Sequence, residues 1–188
     1  MKKIIVIIII MSGIFNYNVY AQEKFGKSLN LGVGLGGYSG YYKYSGHTLP
    51  VFNINYEFDV ARNFTLAPTV SFVTFTNNYY WGNKNHPERY YTYREIVIPI
   101  GVKGSYYFDE LFKAGPKWDF YAAGSFGFSI VHSQWEEGYE GDKNYYNGPK
   151  SMFLDLHFGA EYHFNNRVGA FLDLSTGVST IGLAFHAK

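Results

Sequence analysis

Hydrophobic and polar residues alternate along most of the chain with a period of two, the spacing of a β-strand that buries one face. In a representative segment, Ile96 and Ile98 lie on one face, and Glu95 and Lys103 lie on the other. Eight such segments of about ten residues predict an all-β fold, an eight-stranded antiparallel up-and-down transmembrane β-barrel. The segments are residues 29–35, 52–58, 64–72, 96–106, 120–130, 154–164, 168–174 and 181–185.

The connectors between these segments alternate in length. Residues 59–63 and 165–167 are short, and 109–117 is a moderate connector that contains the turn signal Gly115-Pro116. The connectors at the opposite end are long, except for the tight Thr176-Gly177 turn. The long connectors are residues 39–49, 77–92 and 132–150. Short turns at one rim and long loops at the other are typical of the periplasmic and extracellular ends of an outer-membrane barrel.

Alternation alone leaves open which face lies inside, because a soluble lipocalin-like barrel also has eight strands but turns its apolar face inward. Here the polar face is rich in Gly, Ala and Ser, which suit a narrow lumen. The apolar face holds bulky Leu, Ile, Val and Phe, which are too many for the interior of eight strands. We therefore expect the apolar face to contact lipid.

Tyr and Trp gather near the ends of the segments, where membrane barrels carry aromatic girdles. The expected girdle residues are Tyr38, Tyr41, Tyr79, Tyr80, Trp81, Tyr106, Tyr107, Trp118 and Trp135. Aromatic residues make up 21% of the chain, and this composition favours strands over helices.

The inward face carries more carboxylates than cations. Its charged and histidine members include Glu57, Glu95, Lys103, Asp119, Asp155, His157, Glu161 and Asp173. We expect Glu95, Asp155 and Asp173 in the outer half of the lumen. Glu57 and Glu161 should share the lower half with Lys103. The pattern predicts a network of interior salt bridges and hydrogen bonds, with a proton or ion path as the alternative.

The register of the seventh and eighth segments places one histidine beside one carboxylate. Pairing Phe164 with Val168 across a three-residue turn keeps the apolar faces of both strands in step. With that pairing, His157 lies diagonal to Asp173.

The first residues have the pattern of a signal peptide. Lys2 and Lys3 precede an apolar run that ends near Phe15, well short of the roughly 20 residues of a spanning helix. Val19-Tyr20-Ala21 supplies a cleavage pattern. We expect a signal peptide at 1–21 and an outer-membrane β-barrel domain at 22–188, with an uncleaved anchor as the alternative.

Composition excludes several classes of function. The chain has no cysteine, which excludes disulfides, thiolate metal sites and a lipidated cysteine. Its formal net charge of +1 gives a nucleic-acid partner no electrostatic support.

Several short stretches look similar to the outer-membrane protein β-barrel domain family, small barrels of OmpA/OmpX-type size that include a PorT-like group. These stretches are Glu95-Ile96-Val97-Ile98-Pro99, Gly159-Ala160-Glu161-Tyr162-His163-Phe164, Val168-Gly169-Ala170-Phe171 and Gly182-Leu183-Ala184-Phe185. The resemblance covers nearly all of the chain after residue 21, and it implies a barrel fold in the cell outer membrane. Thr180, Gly182 and Phe185 match the family's assembly signal. Ala187 and Lys188 stand where an aromatic terminus is usual.

Some small barrels are lipid-modifying enzymes with a Ser/His/acid set at the outer rim. His132 and Ser133 lie in that region, with Glu136 and Glu137 following, but adjacent strand residues point to opposite faces.

The acidic run 136–142 lacks the spacing of a dedicated Ca²⁺ loop, and His86 is interpreted as a simple loop residue. We assign no catalytic, cofactor-binding or metal-ligating residue, and we expect no cofactor.

The expected function is that of a non-enzymatic outer-membrane barrel, structural or interactive through loops rich in Tyr, Trp, Asn and Gly. The expected partners are outer-membrane lipid and lipopolysaccharide, the barrel assembly machinery, and an unidentified extracellular or envelope protein. A lipid-modifying enzyme and a narrow pore remain alternatives, followed by a soluble lipocalin-like binding barrel.

Overall fold

The structure is a computed structural model that describes residues 27–36, 47–48, 50–108, 115, 117–143 and 152–187. The predicted signal peptide, most of segment 39–49, and the girdle residues Tyr38 and Tyr41 lie outside the described residues. No helix in the described part of the chain is long and apolar enough to cross a membrane.

Nine antiparallel strands form one sheet, and their alternating sequence explains their extended conformation. They are β1 (Lys27–Gly36), β2 (His47–Thr48), β3 (Val51–Ala61), β4 (Phe64–Asn83), β5 (His86–Tyr107), β6 (Trp118–Trp135), β7 (Met152–Asn165), β8 (Val168–Ser175) and β9 (Val178–Ala187).

The sheet closes on itself. Strand β1 pairs with both β3 and β9, and the remaining neighbours follow in order until β4 pairs with β5. The short strand β2 is a continuation of β3, because both pair with the same edge of β4: Thr48 lies opposite Phe75, and Phe52 lies opposite Phe72. The described chain is therefore a closed eight-stranded antiparallel barrel, and the predicted fold class is confirmed.

The apolar face lies outside. Leu154 is 77% exposed and Leu156 is 66% exposed, whereas Asp155 between them is buried. The same alternation holds on the other strands. Exposed apolar residues include Leu31, Leu35, Phe52, Ile54, Phe72, Phe126, Phe128, Ile130, Phe158, Leu172, Leu174, Ile181 and Leu183. A continuous apolar exterior on a closed barrel is the architecture of transmembrane β-barrels. The alternative of a soluble lipocalin-like barrel, which needs an apolar interior, is wrong.

Strands β4 and β5 are much longer than the sequence pattern predicts. Residues 77–92 were expected to form a loop, but they pair as a hairpin from Asn77 opposite Tyr93 to Asn83 opposite His86. Cross-strand aromatic pairs such as Tyr79 with Tyr91 stabilise this extension, because aromatic side chains pack well across neighbouring strands. We call the end of the barrel that carries this hairpin the hairpin end, and the opposite end the short-turn end.

The turn between β7 and β8 differs in detail from the predicted one. Asn165 pairs with Val168, so that the turn has two residues, and a bulge follows before His163 pairs with Gly169. The bulge restores the predicted register beyond the turn. The two-residue turn is stabilised by the Asn165 side chain, which accepts hydrogen bonds from the Arg167 and Val168 backbone N–H groups at 2.8 and 3.1 Å.

Candidate functional site

The centre of the lumen holds a buried ion pair between strands that are not neighbours. Lys103 on β5 reaches across to Asp173 on β8, with Nζ 3.1 Å from Oδ2. Both side chains are buried, and the ammonium also lies 4.8 Å from the centre of the Tyr121 ring. The Tyr121 hydroxyl donates to the same Asp173 oxygen at 2.8 Å. Lys103 also interacts electrostatically with Glu57 and Glu161, with which it was expected to share the lower lumen, but the carboxylate in direct contact with it is Asp173, which was expected in the outer half.

The second oxygen of Asp173 begins a chain of hydrogen bonds. His157 Nδ1 lies 2.7 Å from Asp173 Oδ1, as the diagonal register predicted, and His157 Nε2 lies 2.8 Å from Ser125 Oγ. This connectivity is that of a Ser-His-Asp catalytic triad. The adjoining cavity has a volume of about 40 Å³, enough for a few water molecules but too small for a substrate. The arrangement acts as an interior polar network.

A second cluster lies nearer the short-turn end, around Glu57. Tyr107 donates to Glu57 Oε1 at 2.7 Å, and Thr65 donates to the same oxygen. Asn30 donates to Oε2 at 3.2 Å. Because ionised carboxylates accept hydrogen bonds only, three donors stabilise this buried charge, and the charge of Lys103 also acts on it.

A third cluster surrounds Glu161 at the short-turn end. His186 Nε2 lies 2.7 Å from Glu161 Oε1, and His163 Nδ1 lies 3.6 Å from the same oxygen. The other nitrogen of His163 lies 2.8 Å from Asp119 Oδ2. The side chains of this cluster come from β6, β7 and β9. Strand β8 contributes Gly169, which lies between Glu161 and His186.

A cluster of apolar side chains lies in the lumen on the side of the hairpin end. Val51, Val73, Phe75 and Val97 form a buried cluster, against which Val131 and Val178 pack. Among the described residues, these buried side chains form an apolar layer between the polar clusters of the lumen and the hairpin end. The sequence pattern already placed Val97 inward, but it missed the inward positions Val73 and Phe75 because residues beyond 72 were not predicted to be strand.

Beyond this apolar cluster, the hairpin carries an aromatic cap made of Tyr79, Trp81, Tyr91, Trp135 and Tyr139. Tyr139 is its centre: its ring stacks on Trp135 at 4.0 Å and meets Trp81 edge-on at 5.3 Å. Arg89 covers the Tyr91 ring at 4.6 Å, a cation–π contact. Aromatic pairs of these geometries stabilise beyond their buried area, so the cap fixes the segment after β6 against the hairpin.

The same segment is held by a carboxylate. The Thr92 backbone N–H donates to Glu136 Oε2 at 2.8 Å, and Arg89 Nη2 lies 3.5 Å from Oε1. Hydrogen bonding from Thr92, followed by the charge of Arg89, lowers the pKa of Glu136. Glu136, the first residue of the acidic run 136–142, therefore holds the segment after β6 against the hairpin. His86, expected to be a simple loop residue, contacts Glu140 at 3.1 Å.

Several residues predicted for the aromatic girdle do not face the outer surface. Tyr80, Tyr106 and Trp118 are exposed on the outer surface, where a girdle requires them. Tyr107, in contrast, faces the lumen, because it shares the inward parity of Lys103. Tyr79, Trp81 and Trp135 belong to the aromatic cap.

The candidate enzyme residues at the rim do not come together. Ser133 faces inward, where its hydroxyl donates to Glu95 Oε1 at 3.2 Å, whereas His132 is exposed and pairs with the outward Ile96. The two side chains thus point to opposite faces, as the sequence predicted. Sequence reasoning missed the contact between Ser125 and His157 and the grouping of Glu161 with two histidines. Parity showed that these residues face inward, but their proximity depends on the closure of the barrel.

The strand pairing and the apolar exterior define a small, closed, membrane-type β-barrel with a filled interior. Neither a protein-family model nor a curated protein sequence matches the chain. Among solved structures, it is similar to the outer membrane protein Ail of Yersinia pestis, whose backbone structure is known in phospholipid bilayer nanodiscs. That match has 10% identity and a TM-score of 0.38, and it covers 85% of this chain and 97% of that one. At this TM-score, the fold assignment rests on the strand pairing alone.

Proposed function

We propose that this chain is a non-enzymatic outer-membrane β-barrel of OmpA/OmpX-type size, with a PorT-like resemblance, that acts through its hairpin end. In this proposal the first 21 residues are removed, and the mature chain begins at Gln22. The observation that carries the proposal is a closed barrel with an apolar exterior, in which strands β4 and β5 continue as an aromatic-rich hairpin.

The interior supports this role over a narrow pore, and over a lipid-modifying enzyme that would use Ser125 in place of the rim residues His132 and Ser133. A pore needs a continuous polar path, and the apolar cluster around Val73 and Val97 obstructs one. A lipid-modifying enzyme needs its nucleophile within reach of a lipid. Ser125 is buried beside a cavity that cannot hold one.

The hairpin has the properties of a contact surface. Tyr80 and Tyr90 form an edge-on pair at 5.2 Å and are 54% and 67% exposed. Rigid tyrosines provide contact area at low entropic cost, as they do in binding loops. We propose lipopolysaccharide or an unidentified extracellular or envelope protein as the partner at this end. Outer-membrane lipid would contact the apolar band, and the barrel assembly machinery would insert the chain.

The orientation can be tested with single cysteines, because the chain has none of its own. Asn85→Cys lies in the exposed hairpin turn, and Asn166→Cys lies in the exposed β7–β8 turn as its matched control. In intact cells, a membrane-impermeant maleimide should label the first variant and should reach the second only after lysis. Equal labelling of both variants in intact cells would contradict the proposed orientation. Mass spectrometry of the same outer-membrane fraction should find Gln22 at the N-terminus.

The interaction itself can be tested with a photocrosslinking amino acid at Tyr90, with position 166 as the control. Crosslinks to lipopolysaccharide or to a discrete envelope protein should form at Tyr90 and be absent at 166. The crosslink should weaken when Tyr80→Ala removes the neighbouring ring. Identical products from both positions would show that the hairpin end is no special contact surface.

A further inference from the structure

The cluster at the short-turn end contains four side chains that favour metal coordination. Glu161, His163 and His186 each offer one ligand atom, and these atoms all lie within 4.8 Å of one another. Two imidazoles and a carboxylate form the ligand set of many zinc sites, in which a water molecule completes the tetrahedron. Asp119 stands behind His163 as the fourth member.

The spacing of the ligand atoms fits one small ion. With metal–ligand bonds of about 2.0–2.1 Å, neighbouring ligand atoms of a tetrahedral site lie about 3.3 Å apart. The distances from Glu161 Oε1 to His186 Nε2 and to His163 Nδ1 are 2.7 and 3.6 Å, which bracket that value. All three ligand atoms lie within 4.8 Å of one another, so side-chain rotations that even out these separations would place them around one ion.

The hydrogen bond to Asp119 prepares His163 for this role. An ionised carboxylate only accepts hydrogen bonds, so the His163 Nε2–H donates to Asp119 Oδ2 at 2.8 Å. In the neutral ring, Nδ1 then carries the lone pair, which faces the carboxylate of Glu161. A histidine oriented by a carboxylate in this way is a recurrent feature of zinc sites. The lone pair of His163 Nδ1 and the Glu161 carboxylate oxygen, 3.6 Å apart, could both coordinate a cation placed between them.

Gly169 makes the convergence possible. The Glu161 side chain lies across β8 to reach His186 on β9, and it passes directly over Gly169. A Cβ atom at position 169 would lie only 2.1 Å from Glu161 Oε1. The backbone therefore leaves open the space that the carboxylate occupies between the two histidines.

We propose that Glu161, His163 and His186 bind one divalent transition-metal ion of the Zn²⁺ type at the short-turn end of the lumen, with Asp119 positioning His163. The side chains of His163 and His186 retain 21% and 13% exposure, so neither histidine is fully buried. This site is independent of the proposed contact surface, which lies at the opposite end of the barrel.

The test is calorimetric titration of the folded, untagged mature protein with ZnCl₂, followed by Co²⁺ absorption spectroscopy. The wild-type protein should bind one Zn²⁺ per chain, and the Co²⁺ form should show the intense visible bands of four-coordinate cobalt. His163→Gln and His186→Gln should each weaken binding by more than about 100-fold, and Asp119→Ala by about 10–100-fold, the usual effect of losing a supporting carboxylate. His86→Gln is the matched control, since His86 contacts a glutamate at the hairpin end and should be dispensable.

Gly169→Ala removes no ligand atom but obstructs the position of the Glu161 carboxylate, so it should also weaken binding. If a variant fails to fold, diethylpyrocarbonate modification of the wild-type protein provides the same information. Zn²⁺ should protect His163 and His186 from modification and should leave the exposed His132 reactive. The proposal is overturned if the wild-type protein shows no saturable 1:1 binding, if His186→Gln binds as wild type does, or if Zn²⁺ protects neither histidine.

Discussion

Replacement of Lys103 by methionine tests the central ion pair of the lumen. Methionine keeps most of the length and volume of the lysine side chain but removes its charge. Asp173 would then retain the Tyr121 hydroxyl and His157 as hydrogen-bond partners, without a lysine in contact. We expect the folded barrel to be clearly destabilised at neutral pH.

The distance between the charges sets the scale of the effect. At an effective dielectric constant of about 20, unit charges separated by the observed 3.1 Å attract each other by about 5 kcal/mol. Removal of one partner from a buried pair typically costs about 3–5 kcal/mol, because the other charge stays buried without compensation. Both routes therefore predict a loss of about 3–5 kcal/mol for Lys103→Met.

Acidification should recover part of this loss. In the variant, protonation cancels the unpaired negative charge left in the lumen, so the folded state takes up a proton that the unfolded chain does not need at the same pH. Stability of a state that binds more protons rises as the pH falls. The variant should therefore be closer to wild type at pH 5 than at pH 8.

The assay measures the fraction of heat-modifiable, folded protein on unheated gels as urea rises, at both pH values. Lys103→Met/Asp173→Asn is the control, because it removes both charges together and should be more stable than Lys103→Met at pH 8. If Lys103→Met matches wild type at both pH values, the buried pair does not stabilise the barrel. If the double variant is no better than the single one, the loss comes from packing.

Two further substitutions test the orientation and the packing of the strands. Leu156→Arg places a charge on the exposed apolar band and should cost about 2–4 kcal/mol in urea unfolding from lipid bilayers; Leu156→Met should be tolerated, and equal stability of both variants would refute lipid contact at this position. Gly159→Ala would bring a Cβ atom 2.2 Å from the Tyr121 ring, so it should cost about 1–3 kcal/mol through overpacking, and a thermal unfolding midpoint equal to that of wild type would contradict the close contact.

The alternation of the sequence predicted the eight barrel strands within the segments where it is clear, together with the inward face of each segment. The alternation of Leu154, Asp155 and Leu156 shows which face of β7 is apolar, and this pattern does not depend on the other strands. For the same reason, the diagonal contact between His157 and Asp173 followed from the register of a single hairpin. These features depend on local geometry, which a sequence expresses directly.

Contacts across the lumen could not be predicted in this way. Lys103 and Asp173 lie on β5 and β8, and their meeting depends on the stagger accumulated through two intermediate strands and on closure of the barrel. The grouping of Glu161 with His186 depends in addition on the absence of a side chain at Gly169. The hairpin extension was missed for another reason: residues 77–92 are mostly polar or aromatic on both faces, so their alternation is weak.

The polar network of the lumen also determines how the barrel can come apart. Its contacts join strands that are not neighbours, such as β3 with β5 through Glu57 and Tyr107, and β5 with β8 through Lys103 and Asp173. Opening one seam between neighbouring strands would therefore expose charged groups whose partners lie elsewhere on the circumference. Separation of a single pair of strands therefore gains little conformational entropy before it disrupts the polar network of the lumen. The barrel should consequently exchange its interior amide hydrogens as one cooperative unit.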